Sequence, residues 1–376
     1  MTKELVQTVE YPTILIVGVQ TPYHKTPYIE SYFEEFRNLL RSNYIAYQEE
    51  LYCKIRSIDN AYFFTKGKLR DLINICEEKG IEEVIVSEPL STQQERNLSR
   101  ILHARVYDRT QLILEIFEKG AHSAEGKLQV ELAMLQHKKS RLSGRGTQMS
   151  QQSGKIGTRG PGETQKEKEL QHLDRGVTKL RKKLEQLHKV RHVQRKKRLT
   201  QQIPQISLVG YTNAGKSTIL NTLTKSSALA EDRLFATLDT TTRELFIQNK
   251  KKGVLSDTVG FIQLLPPKLI EAFKSTLSEL AYADLLLIVI DISDPTWDHH
   301  IEVVKEVLDE LEINKPALYV FNKRDCIEVD DETLETMTRK YQPHVIISAT
   351  SKSSIQPLIS FLDTWEPRKP LPLIED

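Results

Sequence analysis

The chain has 376 residues, 39% hydrophobic and 28% charged, with a net charge of +2 and three cysteines. That length holds two or three domains with separate cores, and the composition is that of a soluble globular protein. The longest apolar run, residues 285–290, is far short of the roughly 18 residues of a membrane span. The start MTKELVQTVEYP lacks a signal core, and Cys53, Cys76 and Cys326 form neither a disulfide framework nor a zinc spacing. Neither export nor a membrane span is expected, and a reducing, cytoplasmic setting is.

Residues 1–126 alternate strand-like and helix-like runs. Residues 13–17 and 83–86 predict buried strands; 31–42, 66–80 and 91–103 have helical apolar spacing, the last with Ser91 as its cap. Such alternation predicts an N-terminal α/β domain with a mainly parallel sheet. It contains no phosphate motif, and TKGKLRDL (65–72) reads as a helix start.

From residue 127 the pattern changes. Leu128, Leu132 and Leu135 are spaced by 4 and 3; after a loop at about 143–165, Leu170, Leu173, Val177, Leu180, Leu184 and Leu187 follow at 3, 4, 3, 4, 3. This is a heptad seam with Lys and Arg outside it, so residues 127–200 are expected to form an antiparallel helical hairpin with a Gly-rich tip loop. Residues 127–198 hold 20 Lys and Arg against 6 Asp and Glu, a net of +14, while the rest of the chain carries −12. A charge run is commonly only a solvated helix face, but such a face mixes signs to gain i,i+4 pairs, and this one is mainly basic. The tip sequence GKIGTRGPGETQ resembles a phosphate cradle in its glycines, yet no strand feeds it and heptad helices flank it. It reads as a presented tip.

After RKKRLTQQIPQ the alternation resumes, predicting a third domain over 201–366 and a proline-marked tail, 367–376. Its strongest signal is Gly210, Tyr211, Thr212, Asn213, Ala214, Gly215, Lys216 and Ser217, which fits G-x-x-x-x-G-K-[ST] between a strand run and a helix. The glycines let backbone N–H groups close around phosphates, Lys216 reaches the β and γ oxygens, and Ser217 offers its hydroxyl to Mg²⁺. Asp257, Thr258, Val259 and Gly260 follow a strand at 253–255: the Asp can hold the metal through water, and the Gly260 N–H can meet a γ-phosphate. Asn322, Lys323, Arg324 and Asp325 follow a strand at 317–321. A carboxylate at Asp325 can accept guanine N1–H and N2–H₂, a pair that adenine lacks, so GTP is favoured over ATP. Asn322 would brace the loops and Lys323 would lie along the base. Ser348, Ala349 and Thr350, after a strand at 345–347, can add a backbone N–H to guanine O6.

The order of these four elements resembles the translation-factor-related P-loop GTPases. Within that class Thr237, in the stretch Phe235, Ala236, Thr237, Leu238 and Asp239, stands where a switch I threonine binds Mg²⁺ and senses the γ-phosphate. Thr240, Thr241 and Thr242 are rivals that spacing does not separate. The resemblance also offers Asn213 as a K⁺ ligand, against the plainer reading of a turn residue. A Gln commonly follows DxxG to orient the attacking water. Here the residue is Phe261, which predicts slow unaided turnover stimulated by a partner and leaves the catalytic group unassigned. Glu163 and Glu244 read as surface carboxylates.

Together with VYDRTQLILEIF (106–117), EGKLQVELAML (125–135), GTRGPGETQ (157–165), LFATLDTTTR (234–243) and DTVGFI (257–262), these motifs are similar to those of the HflX family of ribosome-associated GTPases. The resemblance covers about residues 10–365, and RGPGETQ joined to a GTPase domain is its most specific part. It implies an α/β domain, a helical hairpin and a P-loop GTPase domain. It also implies Mg²⁺, GTP and GDP as ligands, and binding to the large ribosomal subunit that stimulates hydrolysis and dissociates or rescues stalled ribosomes under stress. The hairpin would then meet rRNA through Lys155, Arg159, Gly160 and Gly162 at the tip and Lys182, Lys183, Lys196 and Lys197 along the helix, in a protein that is monomeric off the ribosome. Lys155 and Thr240 stand where relatives tend to carry Gly and Pro, and only a short tail follows the GTPase domain where many relatives have a further domain. Two other readings compete: a GTP-switched hibernation or assembly factor without splitting activity, and a tRNA-modification GTPase, which would lead one to expect a cysteine near the C-terminus.

Overall fold

The computed structural model describes residues 12–24, 28–143, 161–200, 203–224, 233–235, 240–264, 266 and 277–367. The chain divides into two compact units, Met1–Glu115 with Leu135–Asp174, and Ile116–Met134 with Arg175–Asp376.

The first unit is built on a four-stranded sheet of order β2-β1-β3-β4, parallel throughout: β1 Ile14–Gln20, β2 Glu49–Lys54, β3 Glu83–Val86 and β4 Arg105–Asp108. Helices α1 (Ile29–Ser42), α2 (Lys66–Lys79) and α3 (Thr92–Leu102) alternate with the strands, and α4 (Arg109–Gly120) follows. Strand β1 is apolar without alternation because helices cover both faces of a parallel sheet. Its Leu15 and Val17 pack with Leu72, Val84, Val86 and Leu98 in one core, each worth about 1.5–3 kcal/mol of burial. Ser91 caps α3 in a full capping box with Gln94, two otherwise orphaned N–H groups being satisfied reciprocally. The unexpected strands are the two edges: β2 and β4 carry charges on exposed positions and so lack an apolar run.

The carboxyl ends of these strands hold a buried polar cluster. Glu88, just past β3, accepts from the Tyr32 hydroxyl at 2.7 Å and from the Tyr23 hydroxyl, with the Ser87 hydroxyl at 3.3 Å. Arg109 is 1% exposed, pairs with Glu35 and lies over the Tyr32 ring.

The second unit carries a six-stranded sheet of order β10-β9-β8-β5-β7-β6. Its strands are β5 Gln205–Gly210, β6 Thr241–Ile247, β7 Lys250–Asp257, β8 Leu285–Asp291, β9 Ala317–Asn322 and β10 His344–Ile346. Only β6 runs antiparallel, joined to β7 through Gln248 and Asn249, both at positive φ as a tight hairpin turn requires. Helices α7 (Lys216–Thr224), α8 (Trp297–Glu310), α9 (Asp331–Thr338) and α10 (Gln356–Thr364) alternate with the parallel strands. Leu208, Leu255, Leu287 and Leu318 form the core of this unit.

Helices α5 (Ala124–Ser143) and α6 (Pro161–Thr200) supply the hairpin. Along α6 the seam residues Val177, Leu180 and Leu184 are buried while Lys182 and Lys183 are exposed. An ion pair between Lys139 and Asp174 ties the two helices together. The tip loop was placed at 143–165, but α6 already begins at Pro161, whose fixed φ and missing N–H suit the first helical position. Gly162 and Glu163 are therefore helical. Lys155, Arg159 and Gly160 lie outside the described residues, as do the side chains of Lys196 and Lys197.

Candidate nucleotide site

Strand β5, buried in the middle of its sheet, delivers the chain at Gly210 into a loop that ends at the first turn of α7. Free N–H groups at a helix start make such a turn a ready anion site. Gly215 sits at φ +95°, and a Cβ there would lie 2.2 Å from Asn322 Nδ2, so the loop closes only with glycine. Asn213 takes the left-handed region at φ 61°, which Asn tolerates better than most residues.

Lys216 is buried, and its Nζ donates to the carbonyls of Tyr211 at 2.7 Å and Gly210 at 3.2 Å. Burial pushes its ammonium down to about 8 against the opposing pull of Asp257. Ser217 Oγ donates to Asp257 Oδ2 at 2.6 Å, and Thr258 Oγ1 anchors the same turn on the Leu208 carbonyl at 2.7 Å. Gly260 comes so close to the loop that a Cβ would lie 2.8 Å from Thr212 Cα and 2.9 Å from Lys216 Nζ.

At the other end, Asn322 Nδ2 donates to the Ala214 carbonyl and its Oδ1 accepts from Ala349 N, both at 2.9 Å. One side chain thus braces the phosphate loop against the 348–350 turn. Lys323 is tied to Asp291 at 2.7 Å, and Ser348 Oγ lies 2.9 Å from Thr350 Oγ1.

These pieces enclose a cavity of about 360 Å³, within the usual range for a small-molecule site. Of the residues expected to touch nucleotide, Thr212, Asn213, Gly215, Lys216, Ser217, Phe235, Thr258, Gly260, Asn322, Lys323, Asp325, Ser348, Ala349 and Thr350 line it. Ala236, Thr237, Leu238 and Asp239 lie outside the described residues. Gly210 and Ala214 serve through backbone carbonyls, and Asp257 reaches the site through Ser217. Val259 is buried away from the cavity lining. Arg324 is not among the cavity-lining residues: its guanidinium donates to the carbonyls of Ile327 (at 2.8 Å) and Val329 and pairs with Asp331, closing the loop after β9.

Of the rival threonines, Thr241 and Thr242 belong to β6, where Thr242 Oγ1 lies 2.8 Å from Ser256 Oγ. Glu244 is exposed on the same strand and pairs with Lys251. Three lining residues escaped the sequence reading: Thr218, Arg233 and Cys326. Arg233 could have been found as the basic residue four positions before Thr237, and Cys326 as the neighbour of Asp325.

Phe261 is 2% exposed and offers no side-chain polarity. Its backbone is bound to the phosphate loop: Phe261 N–H donates to Gly210 O at 3.1 Å, and Thr212 N–H donates to Phe261 O at 2.8 Å.

A phosphate loop after an interior strand, a DxxG turn lying on it, and the Asn322–Asp325 loop lining the same cavity define a P-loop nucleotide-binding domain. Family models agree along the chain: residues 30–118 match a GTP-binding GTPase N-terminal region, 120–198 a GTP-binding GTPase middle region, and 205–323 a 50S ribosome-binding GTPase. GTPase HflX of Caldanaerobacter subterraneus is 49% identical over 277 residues, 73% of this chain and 65% of that protein, so the chain spans just under two thirds of this relative. GTPase HflX of Escherichia coli K12 is 40% identical over 330 residues, 88% of this chain and 78% of that protein. A GTP-binding protein from Sulfolobus solfataricus solved with GDP is 26% identical, with 93% of this chain and 96% of that one covered and a TM-score of 0.46. The chain belongs to the HflX family of GTPases. No described helix is long and apolar enough to cross a membrane.

Proposed function

We propose that the protein is a GTP-driven factor that engages the large ribosomal subunit and dissociates or rescues joined ribosomes, hydrolysing GTP slowly until the ribosome stimulates it. The observation that carries this reading is a nucleotide site whose DxxG turn is followed by the buried, apolar Phe261, in a chain whose residues 127–198 carry a net charge of +14. The likeness of residues 205–323 to a 50S ribosome-binding GTPase model supports the same partner. Lys182 and Lys183 are exposed on α6 and free to meet phosphates, each contact releasing counterions and steepening the salt dependence.

The Ser217 hydroxyl and Asp257 carboxylate, 2.6 Å apart beside the phosphate loop, are the hard oxygen donors that Mg²⁺ favours. When bound with GTP, Mg²⁺ would neutralise charge on the β and γ oxygens. Ser217 would hold it directly and Asp257 through water, with Thr237 the switch I candidate; Asn213 is the residue for a K⁺ ion. Lys216 holds the phosphates, Asn322 keeps the two loops in register, and Asp325 reads guanine. GTP binding drives dissociation only insofar as the GTP state binds the free subunit better than the joined ribosome.

The test is sedimentation of joined ribosomes after incubation with the protein and GTP or a non-hydrolysable analogue. Separated subunits are expected; binding without separation would favour the hibernation or assembly reading. Charge reversal at Lys182 and Lys183 is expected to flatten the salt dependence of binding, and an unchanged slope would remove α6 from the RNA interface.

A further inference from the structure

Tyr211 is the first variable residue of the phosphate loop, where only backbone is needed to cradle phosphate. Its side chain nevertheless has two specific engagements. The ring, on a residue 7% exposed, stacks on His300 of α8 with centroids 3.8 Å apart and planes 10° apart. The hydroxyl accepts the backbone N–H of Gln263 at 2.9 Å. His300 is held in turn: its Nε2 lies 3.2 Å from Thr296 Oγ1, which donates to Asp294 Oδ1 at 2.7 Å. Burial favours the neutral imidazole.

Gln263 belongs to the short segment that starts at Gly260. Two hydrogen bonds pin Phe261 to Gly210 and Thr212, and both are backbone bonds that any side chain at 211 would allow. The third, at Gln263, needs a hydroxyl. Just beyond it the chain turns sharply at Leu264, at φ 48°. The Tyr211 hydroxyl is therefore a side-chain anchor at the far end of residues 260–263, and Gly260 lies against Lys216 at the near end.

We propose that Tyr211, seated by His300, is a positioning residue for GTP hydrolysis: it clamps residues 260–263 onto the phosphate loop so that the Gly260 N–H is held where a γ-phosphate arrives. In a site where Phe261 cannot orient water, order in this segment is supplied from the phosphate loop side. The inference rests on the GTPase reading and adds to it a residue that acts only when a third phosphate is present. GDP, which has no γ-phosphate, should not sense the clamp.

The experiment uses the full chain with Tyr211→Phe, which keeps the stack and deletes the acceptor. Affinities for GDP and for a non-hydrolysable GTP analogue are measured by fluorescence titration, and hydrolysis by single turnover at saturating GTP. Loss of this hydrogen bond loosens the far end of residues 260–263, so analogue affinity and the single-turnover rate should each fall about five- to thirty-fold while GDP affinity stays within about two-fold. His300→Ala should reproduce part of that loss, and His300→Phe, which restores a ring, should recover most of it. A Tyr211→Phe rate within two-fold of wild type overturns the inference. Equal losses for GDP and the analogue also overturn it, because they would mark general damage to the loop. A wild-type protein that hydrolyses no GTP, with or without ribosomes, would sink the underlying GTPase reading itself.

Discussion

The two units use the same device, a parallel sheet whose strand ends gather polar side chains, and reach opposite results. In the first, Glu88, Tyr23, Tyr32, Ser87, Arg109 and Glu35 meet one another, and the strand ends are filled by their own hydrogen bonds. In the second, Gly215 and Gly260 remove side chains where they would block the loop, and a cavity opens between Lys216, Ser217 and Asp325. The ends of open α/β sheets are where ligands generally bind. The contrast shows that a parallel sheet supplies the place, while missing side chains and outward-facing backbone N–H groups supply the site.

The largest effect should come from closing the open end. Gly215→Val puts branched carbon 2.2 Å from Asn322 Nδ2 at a φ that β-branched residues avoid. GTP and GDP affinity should fall more than about a thousand-fold, since the loop cannot close in its phosphate-binding form. Hydrogen exchange in β1 and β3 should be unchanged if the two sheets are separate devices; altered exchange there would break the comparison. Next in size is Asp325→Asn. If Asp325 accepts the two guanine N–H groups as proposed, an amide in its place should cost GTP about a hundred-fold in affinity and gain binding of xanthosine triphosphate, whose C2 carbonyl accepts from the new amide. Titration with both nucleotides decides it, and unchanged GTP affinity would mean that Asp325 does not read the base.

The filled end should behave in the opposite way. Glu88→Ala leaves the buried Tyr32 hydroxyl and the Arg109 charge with less compensation, which should cost the first unit about 2–4 kcal/mol. Faster exchange in β1 and β3 with GTP affinity unchanged is the expected pair of results.

This contrast also sets what could be read in advance. Glycines at fixed spacing, a Lys and a downstream Asp announce an open site, because the chemistry demands those residue types in order. A filled site announces nothing: Glu88 and Arg109 look like any surface charges until the fold buries them at 0% and 1% exposure. Strands β1, β3 and β5 are legible from continuous apolar runs, whereas β2, with Glu50, Tyr52 and Lys54 exposed, has no such run. The seam of α6 was legible from Leu spacing, but its start was not, because a Pro-Gly pair reads as a turn until the helix is seen to begin on it.

The smallest effect is set by pH. His24 stands in the filled cluster with its side chain 2% exposed, its Nδ1 accepting from Thr21 N at 3.1 Å and its Nε2 3.5 Å from Glu88. Burial, with the Arg109 charge adding to it, pushes the imidazole down to about 4. Glu88 would favour the imidazolium, but its carboxyl is already taken by two tyrosine hydroxyls, and burial raises it toward the neutral form. A histidine lowered on folding binds fewer protons in the native state than in the unfolded chain. Stability from this group is therefore full above its unfolded value of 6.5 and is lost as pH falls toward 4, by at most about 2 kcal/mol at pH 5. Glu88 has the opposite sign: raised on folding, it takes up a proton more readily in the native state and offsets part of the loss at lower pH. Exchange of β1 amides at pH 7 and pH 5, corrected for intrinsic rates, should show the first unit loosening at pH 5. His24→Asn, which keeps an acceptor for Thr21 N and cannot titrate, should remove most of that difference; an equal difference in the variant would place the pH response on some other group.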